Sequence, residues 1–273
     1  MVQTLIDVWQ QWRLDFACLL AIWFCQVLFN YRSRNNRVKS QTIFNLVFLV
    51  ANVFPMAWLM SWVGRVTEPF VARLRLTVRP VRLAVRIDFS ALGIPKYVSE
   101  ICVAILMVIL FDFFQYWSHR LQHTRMLYRP LHQFHHNVRM TVLVGYRHHP
   151  LENIYIYFLI SLPTTLLYRI VGPGGNYMWI QASLLFIAML IHADISIPEI
   201  PIISAVMILP NHHRIHHSAL EGHWDKNFGN FTTIWDRLFG TYVHPYRNGE
   251  TIYPDTGNVR SFTSNAKGLL WLN

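Results

Sequence analysis

Histidines are concentrated in three short stretches of this sequence. The chain has 14 of them in 273 residues. Eight stand at helical spacings in three groups: His119 and His123; His132, His135 and His136; and His213, His216 and His217. Positions i, i+3 and i+4 of an α-helix lie on one face, so we expect each group to present its imidazoles in one direction. Neutral imidazole is a common metal ligand, and the three groups predict a metal centre.

The number of histidines indicates how many ions such a centre would hold. One metal ion takes about four to six ligands, and eight imidazoles therefore suit two ions. Iron, zinc and copper all bind imidazole, so residue type leaves the metal open. Histidines can instead pack, cap helices or face solvent. The repeated His-x-x-His-His spacing beside apolar segments favours ligation over those roles.

Two carboxylates could support this centre without binding metal directly. Asp112 lies in an apolar run, seven residues before His119 and on the same helix face. It could accept the free N–H of a ligand histidine, or it could bond to a neighbouring helix; both roles remain open. Glu152 is a similar candidate. Soluble di-iron bundles use Glu-x-x-His pairs, which this sequence lacks, so we expect an all-imidazole centre.

The segments that must position these residues are strongly apolar. Hydrophobic residues make up 53% of the chain, charged residues only 14%, and the mean hydropathy is +0.27. Soluble domains are about one quarter charged, so the composition predicts a multi-pass integral membrane protein that contacts membrane lipids. The predicted apolar runs are residues 14–30, 43–63, 101–118, 153–171 and 178–192.

Basic residues give the chain a net charge of +10. Beside apolar runs such residues set topology or touch lipid headgroups, and we expect no nucleic-acid partner. Residues 118–150 contain arginine but no acid, which predicts that the histidine site lies on the cytoplasmic face. Three spans before this region would place the basic segment 64–98 outside, against its charge. Either that segment lies along the interface, or one early run is a re-entrant hairpin.

The histidine motifs and their flanking residues resemble those of the fatty acid hydroxylase / sterol desaturase superfamily of membrane di-iron enzymes. The resemblance covers residues 101–242 and includes Asp112-Phe-Phe-Gln-Tyr-Trp-Ser-His119, His149-Pro-Leu-Glu152 and Asn227-Phe-Gly. It implies two further ligands, His149 and His192. It also implies two iron ions, O2 as co-substrate and electrons from a separate donor, a ferredoxin or a cytochrome b5-like protein.

The fold implied by the resemblance is all-α: an integral membrane helical bundle of about four membrane helices plus interfacial helices, capped by a cytosolic helical di-metal domain. We divide the chain into N-terminal membrane and interfacial segments (1–98), a fatty acid hydroxylase-like di-iron domain (99–245) and a C-terminal tail (246–273). The expected function is hydroxylation of an unactivated C–H bond in a lipid, fatty acyl or sterol substrate. Desaturation by the same site is the alternative, and a membrane metal transporter is a more distant one. Oligomeric state stays open.

Overall fold

The structure is a computed structural model that describes residues 89–164, 178–247, 250–252 and 254–256, with scattered positions between 17 and 73. The predicted membrane runs 14–30 and 43–63, most of the basic segment 64–98, the end of run 153–171 and most of the C-terminal tail lie outside the described residues. The described part is mostly helical, as the sequence predicts.

One long helix, α1, carries the first two histidines of the centre to its end. It spans Lys96–Gln122 and, at 1.5 Å per residue, is about 40 Å long. Among the described helices it is the one long and apolar enough to cross a membrane. Ser99, Val103 and Met107 recur every four residues and are buried on one side. Exposed apolar side chains such as Ile101 and Ile105 cover other faces.

The remaining helices are short and alternate with irregular segments. They are α2 (Gln133–His136), α3 (Pro150–Ile156), α4 (Met178–Leu190), α5 (Pro201–Val206), α6 (Pro210–His216) and α7 (Ile234–Leu238). Single π-helical turns at Tyr128–His132 and Tyr157–Ser161 precede α2 and extend α3. Three short 3-10 helices occupy Phe89–Leu92, Val142–Tyr146 and Glu221–His223.

Proline sets the start of several of these helices. Pro150, Pro201 and Pro210 stand at the first turn of α3, α5 and α6, where a missing backbone N–H costs nothing and a fixed φ favours the helix. A small antiparallel hairpin, β1 (Tyr246–Arg247) and β2 (Glu250–Thr251), pairs Tyr246 with Thr251. It is the one sheet among the described residues, so their architecture is helical.

Buried polar contacts hold the short helices in place. Asp194, in the turn after α4, forms a buried ion pair with Arg214 of α6. Arg147 is almost fully buried and donates to the carbonyl of Phe134 in α2 and to Asn45 Oδ1. A buried charge is tolerated when it is paired and hydrogen-bonded, so Arg214 ties α6 to the turn after α4, and Arg147 ties α2 to the segment before α3.

Candidate metal centre

Nine of the ten histidines singled out in the sequence come together in two adjacent groups. The first group is His119, His123, His132, His136 and His216; the second group is His135, His192, His213 and His217. Within each group the candidate ligand atoms lie within 4.8 Å of one another. The rings of His136 and His217, one from each group, stack with centroids 4.2 Å apart. Two neighbouring ions would therefore share this space.

Each His-x-x-His-His motif is divided between the two groups. His132 and His136 belong to the first group and His135 to the second. In the other motif, His213 and His217 belong to the second group and His216 to the first. The expectation that each motif points in one direction is wrong. Residues i and i+4 of a helix differ by about 40° around the axis, whereas i+3 and i+4 differ by about 100°, so the middle histidine reaches the other group.

Hydrogen bonds at Nδ1 fix which nitrogen of several rings is available. His119 Nδ1 lies 2.8 Å from the carbonyl oxygen of Phe228. His216 Nδ1 lies 2.8 Å from the carbonyl of Lys226, and His192 Nδ1 lies 2.8 Å from that of Ala188. A carbonyl only accepts, so each Nδ1 carries the proton. In a neutral imidazole, Nε2 then presents a lone pair.

The Nε2 atoms of each group face one another at short range. In the first group, Nε2 of His132 lies 3.1 Å from Nε2 of His119 and 3.1 Å from Nε2 of His136. Nε2 of His136 lies 3.1 Å from Nε2 of His216. In the second group the corresponding distances are 2.9 Å for His192–His213 and 3.2 Å for His135–His192 and His213–His217. Two nitrogens bound at right angles to a metal through bonds of ~2.1 Å stand about 3 Å apart. The spacing fits ligands around a cation.

His123 completes the first group from the C-cap position of α1. Its Nδ1 is 3.2 Å from Asp225 Oδ1. Its Nε2 is buried and has no hydrogen-bond partner among the described residues. A buried nitrogen without a partner is costly, and a metal ion in the first group would satisfy it.

Burial keeps the rings in the state that metal binding requires. It lowers the pKa well below the usual 6.5 for His132, His135, His136, His213, His216 and His217, and neighbouring histidines lower it further. These imidazoles are therefore neutral near pH 7, and a neutral imidazole binds a metal without first releasing a proton.

Glu152 supplies a buried negative charge at the edge of the first group. Its Oε1 accepts hydrogen bonds from His132 Nδ1 at 2.9 Å and from Gln122 Nε2 at 2.7 Å. Its Oε2 forms a 3.1 Å ion-pair contact with His148 Nδ1. Burial raises the pKa of Glu152, but His148 and these bonds together hold it below its usual value. Carboxylate contacts of this kind orient a ligand histidine and raise its basicity.

The structure does not bring Asp112 or His149 into this arrangement. Asp112 accepts bonds from the backbone N–H groups of Phe231 and Thr232 and from the Thr232 hydroxyl. It therefore ties α1 to a loop, and not to a ligand histidine or to a neighbouring helix. His149 lies outside both groups and is the N-cap of α3, where its Nδ1 accepts from Leu151 N at 3.2 Å.

Sequence comparison now places the chain among known proteins. A sequence model described as fatty acid hydroxylase matches residues 104–241, half of the chain. The chain belongs to the fatty acid hydroxylase family. The matched range includes every histidine of both groups.

Three relatives illustrate the range of this family. Ornithine lipid hydroxylase OlsE of Rhizobium tropici is 32% identical over 167 residues, 61% of this chain and 47% of that protein. Human lathosterol oxidase is 31% identical over 158 residues, 55% of this chain and 48% of that protein. Delta(7)-sterol 5(6)-desaturase ERG3A of Gibberella zeae is 30% identical over 144 residues, 51% of this chain and 37% of that protein. The chain thus spans about half the length of these curated relatives, or less. No solved structure matches it.

A loop that sequence reasoning gave no role, residues 225–232, holds two of the ligand rings; we call it the carbonyl loop. It supplies the carbonyls of Lys226 and Phe228 that accept from His216 and His119. Asp236 fixes it by accepting from the backbone N–H groups of Phe228 and Gly229, both at 2.8 Å. The sequence analysis quoted the motif Asn227-Phe-Gly as part of the resemblance to the family. It could not predict the carbonyl contacts, because backbone carbonyls have no characteristic side-chain pattern.

A cavity of about 760 Å³ opens beside the two groups. His123, His136 and His216 of the first group and His217 of the second reach its wall. A ligand in the cavity would therefore face both candidate ions. Its volume is in the range of small-molecule sites.

Proposed function

We propose that this fatty acid hydroxylase family member is a membrane-bound, non-haem di-iron oxidoreductase that hydroxylates an unactivated C–H bond of a lipid. The observation that carries the proposal is the pair of adjacent imidazole groups, with Nε2 atoms at ligand spacing, beside one cavity. The nine histidines of both groups are the proposed ligands. The relatives named as hydroxylase, oxidase and desaturase support an oxidative reaction.

The names of these relatives describe oxidation reactions and therefore also favour iron over zinc. Zinc has no redox chemistry, whereas non-haem iron with imidazole ligands supports reactions with O2. When bound, two iron ions supply O2 activation and the oxidising power to remove hydrogen from carbon, with electrons from a separate ferredoxin or cytochrome b5-like donor. The protein contributes the rest: it holds the ligand nitrogens, keeps Glu152 ionised and shapes the cavity.

Residues of the chain set the ligand geometry before any metal arrives. The carbonyls of Phe228 and Lys226 fix the tautomers of His119 and His216, and Glu152 does the same for His132. The Asp194–Arg214 ion pair holds the turn that carries His192 against α6, which carries His213. Such preorganisation lowers the cost of bringing ligands together.

The membrane setting is part of the proposal. α1 is the candidate span, and about three further spans are proposed among the apolar runs at 14–30, 43–63, 153–171 and 178–192. The arginine-rich, acid-free segment 118–150 supports a cytoplasmic position for the histidines. A thiol-reactive probe that cannot cross membranes should label an R139C variant only after the cells are permeabilised. Labelling of intact cells would place the histidines on the outer face of the membrane.

Desaturation is the second candidate, because one of the relatives is named a desaturase. Hydroxylation inserts oxygen from O2 into the product, while desaturation removes a second hydrogen and releases both as water. Lipid extracts of cells with and without the gene, grown under 18O2, separate the two. We expect a lipid that gains one 18O atom. A product two hydrogens lighter without label would establish the desaturase, and unchanged lipids in both would contradict either reaction.

A further inference from the structure

Most residues that line the cavity beside the two histidine groups carry a polar or charged side chain. Apart from the histidines, the wall of the cavity is formed largely by arginine, asparagine, serine, tyrosine and aspartate side chains; Ala219 and Trp224 are the apolar members. Sites that bind alkyl chains are lined predominantly by apolar side chains. A substrate whose middle methylenes sat against the ligand histidines would desolvate these polar groups without replacing their hydrogen bonds. The polar end of a substrate fits this wall better.

Two arginines give the wall its charge. Arg125 and Arg129 follow closely after the end of α1 and both line the cavity. Within the described part of the chain, neither guanidinium forms an ion pair. The acidic residue of the wall, Asp225, is engaged by His123. Guanidinium groups match carboxylate and phosphate oxygens in pairs of charge-assisted hydrogen bonds.

Tyr128 lies between these arginines in sequence and adds a neutral donor. Its side chain lines the same cavity. A tyrosine hydroxyl can donate a hydrogen bond to an anion.

Exposed apolar side chains lie in the same chain segments as the residues that line the cavity. The segment that carries Arg125 also exposes Met126, whose side chain is 85% accessible. The segment that carries Asp225 exposes Leu220 and Trp224, each 56% accessible. Met126 follows the end of the apolar helix α1, and Trp224 lines the same cavity. A ligand with an anionic head and an alkyl tail would match both surfaces.

From this arrangement we propose that the cavity binds the anionic headgroup of an amphiphile, a phosphate or carboxylate, through Arg125 and Arg129. The oxidised carbon then lies in or next to the headgroup and not along the alkyl chain. The statement about oxidation rests on the proposed function; the statement about binding does not. The same arginines could instead dock an acidic electron donor, which would also use nearby cations outside the cavity such as Arg139.

Binding of defined lipids to the purified, metal-loaded full chain tests this. The probes are radiolabelled 1-oleoyl-glycerol 3-phosphate, neutral monooleoylglycerol with the same tail, and glycerol 3-phosphate without a tail. We expect the phosphorylated amphiphile to bind more tightly than either of the others. The double variant Arg125→Gln/Arg129→Gln should weaken its binding ~10-fold or more and leave monooleoylglycerol binding unchanged.

Arg139→Gln is the control, since it replaces an arginine that does not line the cavity. It should bind all three probes as the unaltered protein does. Equal weakening by Arg139→Gln, unaltered binding in the double variant, or equally tight binding of glycerol 3-phosphate would overturn the proposal. If binding depends on the arginines but no oxygen from O2 enters the lipid, the headgroup site is supported and only the proposed function is contradicted.

Discussion

Nε2 of His119 and Nε2 of His132 lie 3.1 Å apart, although both rings already use their Nδ1 protons elsewhere. His119 donates to the Phe228 carbonyl and His132 to Glu152. Neither Nε2 has a proton to offer the other, so the contact is not a hydrogen bond between neutral rings. Protonating one ring would cost free energy, because burial disfavours imidazolium at this site. A cation between the two nitrogens removes the conflict.

Gly229→Ala should disturb the first histidine group from outside it. A Cβ at this position would lie 2.5 Å from the Thr232 carbonyl oxygen and 2.9 Å from Asp236 Oδ2. The carbonyl loop would have to shift, at a cost of about 1–3 kcal/mol in unfolding free energy, and the Phe228 carbonyl would move away from His119. Thermal unfolding and metal content measure both effects. Gly222→Ala, where nothing lies within 4 Å of the added Cβ, is the control; equal behaviour of the two variants would count against the role of the loop.

Glu152→Gln should weaken metal binding while the protein stays folded. The variant keeps an oxygen that can accept from His132 but loses the charge that raises the basicity of that ligand. Loss of a carboxylate behind a ligand histidine typically costs about 10–100-fold in metal affinity. Competition with a chelator measures the change. Glu221→Gln, which neutralises an exposed acid, should bind metal as the unaltered protein does; the same result for Glu152→Gln would show that its charge is irrelevant.

Asp112→Ala should reduce stability more than metal content. The substitution leaves the N–H groups of Phe231 and Thr232 and the Thr232 hydroxyl without their acceptor. Each buried donor without an acceptor costs about 1–3 kcal/mol of unfolding free energy. Glu100→Ala, an exposed acid of the same helix, provides the reference for thermal unfolding. Folded Asp112→Ala protein that has lost its metal without losing stability would assign Asp112 to the centre instead.

The metal-free protein should lose stability as the pH falls through about 6.5. The histidines with lowered pKa stay neutral in the folded state, while in the unfolded state they take up protons near pH 6.5. At a pH between the pKa of the folded state and that of the unfolded state, the unfolded state binds more protons than the folded state. The unfolding free energy therefore drops by up to ~1.4 kcal/mol for each such ring per pH unit of acidification. Melting temperatures from pH 8 to pH 5 test this. Bound iron should oppose the drop, and a flat profile without metal would mean that the rings are not buried as described.

Spacing predicted which histidines come together, but not how they divide between the two groups. His-x-x-His-His indicates which rings share a helix, whereas the two groups form only when separate segments meet, and that placed His135 apart from His132 and His136. Glu152 was predicted as a carboxylate partner of a ligand histidine, and the structure places it 2.9 Å from His132. The carbonyls of Lys226 and Phe228 could not be found, since every residue has one. His149 was implied by resemblance, yet the start of α3 at Pro150 uses its ring as a cap.

Iron counted per chain by elemental analysis, alongside protein quantified by amino-acid composition, tests the central claim most directly. The protein purified from iron-supplied cells should hold two iron ions per chain. Removing two ligands of one group, as His136→Ala/His216→Ala or as His192→Ala/His213→Ala, should leave one ion, and His149→Ala should leave both. Folded protein with a single ion, with readily exchanged zinc, or with two ions after either double substitution would contradict the account.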